Sequence, residues 1–175
     1  MHIRFVCRAG CRRSIALKEY VSRADPGIIT SSSPFDYDRH LRSLSKRGER
    51  LARMQDAYTS EVSRLREGGG HVHPRFGVLM LQDGIESVAS HRSVRVNDRI
   101  DGVDLVLTVD YNIARVLRDR YPAKSVYPVM SFIGESGSLP DIKVYSLPFL
   151  SWQMREDREL LDSALGIAQK VVRVV

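Results

Sequence analysis

Short runs of apolar residues along the chain predict the strands. The run at 2–6 combines β-branched and aromatic residues, and the run at 103–109 (VDLVLTV) is almost continuously aliphatic. A continuous run is typical of a strand whose two faces are both covered by helices. Weaker runs predict strands at 27–31, where a serine run ends the segment, and at 125–133, and the stretch 141–152 is expected to be a strand and loop.

Apolar residues that recur every three or four positions predict the helices. The first predicted helix covers 14–23, with Ser14 as its N-cap. Further helices are predicted at 73–84, 111–121 and 154–174. Strands and helices therefore alternate, which indicates an α/β three-layer sandwich: a central parallel sheet of about four strands with helices on both faces. In such sheets ligands bind at the carboxyl ends of the strands, which is where the loop after the first strand lies.

A long helical pattern at 36–67 interrupts this alternation. Its apolar residues follow a heptad-like spacing, and Gly48 indicates a break between two helices. We expect this stripe to pack on the rest of the domain rather than to form a coiled coil, and the pattern leaves open whether the chain is a monomer or a homodimer.

Composition and charge narrow the class of protein. The chain has 175 residues, 43% of them hydrophobic, a net charge of +6 and a pI near 9.6, which fits one globular domain. No apolar run approaches the ~20 residues of a membrane span, and the two cysteines make no disulfide scaffold, so we expect no membrane contact and a reducing cytoplasm. The basic segment 39–53 is expected to be a solvated helix face, including His40, with contact to a protein or nucleic acid as the alternative.

Both cysteines lie in the loop after the first strand, among Arg8, Arg12 and Arg13. A helix that follows such a loop directs unpaired N–H groups and a positive dipole toward it. Together with the arginines, these groups make an anion site and favour a thiolate at Cys7. The loop therefore combines a nucleophile with a cradle for a tetrahedral oxyanion.

The spacing within this loop adds detail. Five residues separate Cys7 from Arg13, a length that can surround a phosphate while the guanidinium binds two of its oxygens. Ser14 can donate its hydroxyl to the thiolate. Gly10 supplies the left-handed backbone conformation that a tight anion loop often needs.

The stretch FVCRAGCRRSIA resembles the signature loop of low-molecular-weight protein tyrosine phosphatases, in which a strand, Cys-x5-Arg-Ser and a helix follow one another near the N-terminus. HPRFGVLMLQDGIESVASHRS and GVDLVLTVDYNIARVLRDRYP resemble later parts of that family, and the first of them places His91 at the family's supporting histidine. The resemblance covers 1–33 and 72–175. It predicts a single domain over 1–175 with a helical insertion at 36–70.

The resemblance also implies roles for the loop residues. Cys7 is the expected catalytic nucleophile and Arg13 the catalytic arginine, with no cofactor and no metal. The expected phosphate-binding residues are Arg8, Ala9, Gly10, Cys11, Arg12 and Ser14.

The chain departs from the family pattern at the general acid. The family carries Asp-Pro in a loop before the last helix, whereas the matching stretch VYSLPFLSW has Leu147 before Pro148. Asp141, which follows Pro140, is the candidate replacement. Gly10 stands where the family has asparagine. The family's second loop cysteine directly precedes the catalytic arginine; Arg12 occupies that position here, and the cysteine of this chain lies one residue earlier, at Cys11.

These residues lead to a main hypothesis and two alternatives. The main one is a cysteine-dependent phosphatase for phosphorylated proteins, with phosphotyrosine as the expected substrate. The first alternative is a catalytically impaired relative that binds phosphate or a phosphoprotein, with 36–70 as its interaction element. The second is an arsenate reductase, which the lack of cysteines beyond Cys11 disfavours. A protective disulfide between Cys7 and Cys11 and a merely buried Cys11 are equally compatible with the sequence.

Overall fold

The computed structural model describes residues 1–137, 139 and 151–175, the last range with side chains from Met154 onward. The candidate acid Asp141 and most of the predicted strand and loop at 141–152 therefore lie outside the described residues. The same holds for Leu147 and Pro148.

Four strands form one parallel sheet in the order β2-β1-β3-β4. They are β1 (His2–Cys7), β2 (Ile29–Pro34), β3 (Leu105–Thr108) and β4 (Ser125–Pro128). The inner strand β1 pairs with both β2 and β3, and its last residue, Cys7, lies beside the last residue of β2. The prediction of about four parallel strands is confirmed.

The described helices cover both faces of this sheet. In chain order they are α1 (Arg13–Ala24), α2 (Tyr37–Ser45), α3 (Arg47–Ala52), α4 (Thr59–Gly68), α5 (Pro74–Gln82), α6 (Tyr111–Arg120), α7 (Val129–Phe132) and α8 (Ser151–Val174). Short 3-10 turns occur at Glu86–Ser90 and Ile100–Gly102. In the described part of the chain, no helix combines the length and the apolar character that crossing a bilayer requires.

Alternation along β1 explains the three layers. Ile3 and Phe5 point into a core shared with α1, α5 and α8, whereas Val6 points into a second core shared with β3 and α6. Neighbouring residues of a strand face opposite sides of the sheet, so one strand supplies both cores. The predicted α/β sandwich is confirmed.

Several predicted boundaries are wrong for identifiable reasons. The serine run does not end β2 but belongs to it, because Ser32 and Ser33 are buried within the sheet. The predicted strand at 125–133 stops at Pro128, which has no N–H to continue the ladder, and helix α7 follows. The third strand is shorter than 103–109, although Val103 and Val109 are buried just beyond its ends.

The helical pattern at 36–67 is not one continuous stripe. It divides into α2, α3 and α4, with breaks at Lys46 and over 53–58, so the first break comes two residues before Gly48. Leu41 is 47% exposed, whereas Leu51 and Leu65 are buried in the main core. The expected packing against the rest of the protein is present, but a single heptad face is absent from these helices.

Candidate active site

The turn between β1 and α1 folds back over the sulfur of Cys7. The Cys7 Sγ accepts a hydrogen bond from the Gly10 N–H at 3.2 Å and lies 3.1 Å from the Ser14 Oγ. Gly10 has the expected left-handed conformation, with φ of +58°. A Cβ at this position would lie 2.6 Å from the Pro34 nitrogen, so the turn also needs glycine for space.

Ser14 does not cap the helix as predicted. Helix α1 begins at Arg13, and Arg12 occupies the cap position, where its side chain makes no capping hydrogen bond. The fully buried Ser14 directs its hydroxyl to Cys7 instead of to a backbone N–H. The predicted contact between Ser14 and the sulfur is therefore present, and the Ser14 hydroxyl does not occupy a backbone N–H group at the start of α1.

Each carbonyl oxygen from Cys7 to Arg12 accepts a hydrogen bond from the protein around the loop. The donors, in loop order, are Phe35 N, Asp36 N, His40 Nδ1, Ser93 Oγ, His73 N and Ala16 N. Because the carbonyl oxygens are engaged by the scaffold, the N–H groups are the part of the loop backbone with which an anion can interact.

A cavity of about 690 Å³ opens at this loop, and cationic side chains dominate its lining. Arg8, Arg12 and Arg13 contribute from the loop. Four more line it from segment 36–70, and we call them the basic wall: Arg39, Arg42, Lys46 and Arg50. Most of these residues are exposed, as expected for a solvated helix face. The sequence did not indicate that they line the same cavity as Cys7.

The predicted exposure of His40 to solvent is wrong. We expected a solvated side chain, but it is 1% exposed, and its Nδ1 donates to the Ala9 carbonyl at 2.8 Å. Burial lowers the pKa of His40, and its ring lies edge-on to His71, with centroids 5.3 Å apart. His40 thus links α2 to the loop, a long-range contact for which the sequence carries no signal.

His91 lies behind the loop rather than in the cavity. Its Nε2 is 2.9 Å from the Ser32 Oγ, and its Nδ1 is 3.4 Å from Glu19 Oε1. Ser93, 3.4 Å from the same Nε2, donates to the Gly10 carbonyl at 2.7 Å. Burial lowers the pKa of His91, and the hydrogen bond with Glu19 opposes part of that shift. The geometry fits the predicted supporting role.

A buried carboxylate lies between one arginine of the loop and one of α5. Asp157, in the N-terminal part of α8, accepts a hydrogen bond from Arg75 Nε at 2.7 Å, and Arg12 Nη1 lies 4.0 Å away. Burial raises the pKa of Asp157, and the two arginines oppose that shift. Arg13 donates from Nη1 to the Leu139 carbonyl at 3.0 Å. Nothing in the sequence distinguishes Asp157 from the other acids of its helix.

Cys11 is a buried free thiol, as is Cys7. Its sulfur accepts a hydrogen bond from the Ser43 hydroxyl at 3.6 Å, and burial raises the pKa of Cys11. This environment keeps Cys11 protonated. Among the described residues, no cluster of three or more His, Cys, Asp or Glu side chains has metal-binding geometry.

Comparison with solved structures places this geometry in a known fold. A low-molecular-weight protein tyrosine phosphatase from T. tengcongensis is similar over 100% of this chain and 99% of its own, with a TM-score of 0.59 and 16% identity. The chain has the fold of the low-molecular-weight protein tyrosine phosphatases. Vibrio vulnificus Wzb, solved with benzylphosphonate, is similar over 99% of this chain and 98% of its own, with a TM-score of 0.65 and 14% identity.

A third protein with the fold has another specificity. The YwlE arginine phosphatase from Geobacillus stearothermophilus is similar over 98% of this chain and 90% of its own, with a TM-score of 0.62 and 17% identity. No family model matches the sequence, and no characterised protein matches it at sequence level. The likeness at these identities is therefore one of fold.

Proposed function

We propose that the chain is a cysteine-dependent phosphatase for phosphomonoesters, with phosphotyrosine in proteins as the substrate class. One observation carries the proposal. The Cys7 sulfur lies beneath a loop whose carbonyl oxygens are all bound by the scaffold, and this loop borders a cationic cavity. Phosphatases of two specificities have this fold, which supports the same chemistry here.

In the first step the Cys7 thiolate attacks phosphorus. The S–P bond forms while the bond from phosphorus to the leaving oxygen breaks, and that oxygen takes a proton. Arg13 and the loop N–H groups stabilise the charge on the equatorial phosphoryl oxygens. Asp141 is the proposed proton donor.

In the second step water attacks the phosphocysteine. The O–P bond forms, the S–P bond breaks, inorganic phosphate leaves, and the thiolate is restored; the proton of the water passes to the carboxylate left by the first step. The Ser14 hydroxyl, 3.1 Å from the sulfur, donates to the departing thiolate. His91 acts as a positioning residue, because it reaches the loop through Ser93.

Hydrolysis of p-nitrophenyl phosphate tests this function, because its leaving group needs little protonation. Wild-type protein should release nitrophenol, and Cys7→Ser should not. Arg53→Gln is the control and should retain turnover, since Arg53 is exposed and does not line the cavity. Phosphate binding without turnover in the wild type would instead favour the non-catalytic alternative. If the wild type shows neither phosphate binding nor turnover, both hypotheses, the phosphatase and the phosphate-binding protein, are wrong.

The same assay tests the proton donor. Asp141→Asn should slow hydrolysis of phenyl phosphate about 10²–10⁴-fold, because its leaving group needs a proton, and slow p-nitrophenyl phosphate much less. Equal losses on both substrates would exclude Asp141 as the general acid.

A further inference from the structure

The basic wall faces the same cavity as the proposed nucleophile. Arg39, Arg42 and Lys46 follow one another at steps of three and four residues, so they share one side of α2 and its C-terminal end. Arg50 of α3 adds a fourth cation. These side chains lie across the cavity from a loop that already carries three arginines.

Specific contacts hold this side of α2 against the loop. His40, buried beside the wall, donates to the Ala9 carbonyl at 2.8 Å, and the Ser43 hydroxyl donates to the Cys11 sulfur at 3.6 Å. Arg50 donates to the Ser43 carbonyl at 3.3 Å, which joins α3 to the same assembly. The wall is therefore fixed relative to Cys7 rather than carried by a separate arm.

Positive charge outweighs negative charge at the wall, where Glu49 is the acid that acts on Arg50. No Asp or Glu of the described residues lines the cavity, and within the same residues Arg39, Arg42 and Lys46 form no ion pair with a carboxylate. Burial and the nearby Arg12 lower the pKa of Arg50. Like charges that share a cavity repel one another, and a bound anion offsets that repulsion.

A single phosphate does not use this charge. In the proposed reaction the loop N–H groups and Arg13 bind one phosphoryl group, whereas the cavity of about 690 Å³ lies within the size range of ligand pockets for larger molecules. We propose that the basic wall binds a second phosphate group of the same substrate, so that the preferred substrate carries two phosphates. This inference rests on the proposed function of the loop.

A nucleic acid, the alternative partner expected for segment 39–53, fits this arrangement less well. Nucleic-acid sites follow a chain of phosphates along an open basic surface. Here the wall shares a concave site with the phosphate loop, which suits a compact ligand with two anionic ends. Two kinds of substrate carry such a second phosphate: a small bisphosphate and a doubly phosphorylated peptide.

Calorimetric binding to the Cys7→Ser protein tests the second phosphate without turnover. The ligands are phenyl phosphate and the bisphosphates of catechol and of hydroquinone, which place the second phosphate at two different spans. We expect at least one bisphosphate to bind about 10- to 100-fold more tightly than phenyl phosphate, as charge-assisted hydrogen bonds imply. A bisphosphate has two equivalent phosphate ends, which alone doubles its apparent affinity. If, after correction for this factor, phenyl phosphate and both bisphosphates bind with equal affinity, the proposal is wrong.

A double variant locates the effect. Arg42→Gln with Lys46→Gln, in the same Cys7→Ser protein, should remove most of the preference for the bisphosphate. Arg53→Gln with Arg115→Gln is the matched control, because it also removes two positive charges, from exposed residues that do not line the cavity. Its preference should equal that of the parent. A preference that both variants reduce equally reflects net charge alone and would refute a wall site.

A peptide arm separates the two sources. A phosphotyrosine peptide is compared with the same peptide carrying an adjacent phosphoserine. A gain for this peptide larger than that for the aryl bisphosphates identifies a phosphoprotein, and the reverse identifies a small molecule; both support the second phosphate. Tight binding of an RNA oligonucleotide that displaces both ligands would overturn it.

Turnover by the wild type keeps the two proposals distinguishable. Hydrolysis of phenyl phosphate without a preference for the bisphosphate would refute the wall site and leave the phosphatase standing. Preferential binding without hydrolysis would refute the phosphatase and leave the wall site as a binding site for bisphosphates.

Discussion

At the residue scale, the local part of the site was predictable because it lies in one short stretch. A loop of fixed length between a strand and a helix is enough to bring the functional side chains together, because they all belong to that loop and the start of the helix: Cys7, Gly10, Arg13 and Ser14. The left-handed Gly10 and the contact between Ser14 and the sulfur are both present.

Residues that act through long-range contacts were not predictable. His40 is 31 positions from the carbonyl to which it donates, and Asp157 is 82 positions from Arg75. Neither belongs to a motif, and His40 was expected to be exposed to solvent. Only the fold brings them to the back and side of the loop, where burial makes their hydrogen bonds necessary.

Glu19 is a residue-scale test of how the scaffold behind the loop is stabilised. Burial alone would raise the pKa of its carboxyl, but the hydrogen bond from His91, the charge and hydrogen bond of Lys18 and the hydrogen bond from Ser87 outweigh burial and lower the pKa to about 2. A carboxyl whose pKa is lower in the folded state stabilises the protein above its unfolded pKa, near 4.5, and that stabilisation is lost as pH falls toward 2.

We therefore expect Glu19→Gln to lower the free energy of unfolding at pH 7 and the difference from wild type to shrink as pH falls from 4.5 to 2. Urea unfolding at a series of pH values measures this difference. Glu67→Gln, at an exposed carboxyl of α4, is the control and should show a far smaller change. A Glu19→Gln difference that is constant with pH would contradict the charged, hydrogen-bonded carboxylate.

At the element scale, segment 36–70 shows where periodicity alone fails. The heptad-like spacing predicted a stripe with one break at Gly48, but tertiary packing bends the segment into α2, α3 and α4. Each short helix buries different positions of the stripe, so Leu41 remains exposed while Leu65 is fully buried. The pattern indicated which residues are apolar but not that the segment turns to border the cavity.

The buried contacts of α4 make a prediction about this segment. Leu65 is fully buried in the main core and packs close to Gly77 of α5. Leu65→Ala should lower the free energy of unfolding of the whole chain by about 2–5 kcal/mol, as for other buried leucines. Chemical unfolding followed by circular dichroism and tryptophan fluorescence measures it.

The exposed Leu41 of α2 supplies the matched control. Leu41→Ala should change stability by less than about 1 kcal/mol. A peripheral arm would instead unfold in a separate early transition in the Leu65→Ala protein and leave the main transition unchanged. That result would contradict the prediction of a single domain over 1–175.

At the scale of the whole molecule, the order of strands and helices was the most predictable feature. Alternating strand and helix patterns, with an aliphatic β3, require a parallel sheet between two helical layers, and the four-stranded sheet has that form. Cys7, the last residue of the inner strand β1, lies at the edge of the sheet where the carboxyl ends of the strands meet. The fold thus explains why the local motif lies at the edge where ligands bind in such sheets.

The central claim is that this edge holds a sulfur that accepts a phosphoryl group, and trapping that adduct tests it most directly. Wild-type protein is mixed with p-nitrophenyl phosphate, quenched within milliseconds and analysed by mass spectrometry of its peptides. The account predicts one added phosphoryl group on the peptide that contains Cys7, located on that residue, and none in the Cys7→Ser protein. Release of nitrophenol with no phosphoryl group on Cys7, or with the group on another residue, would contradict it.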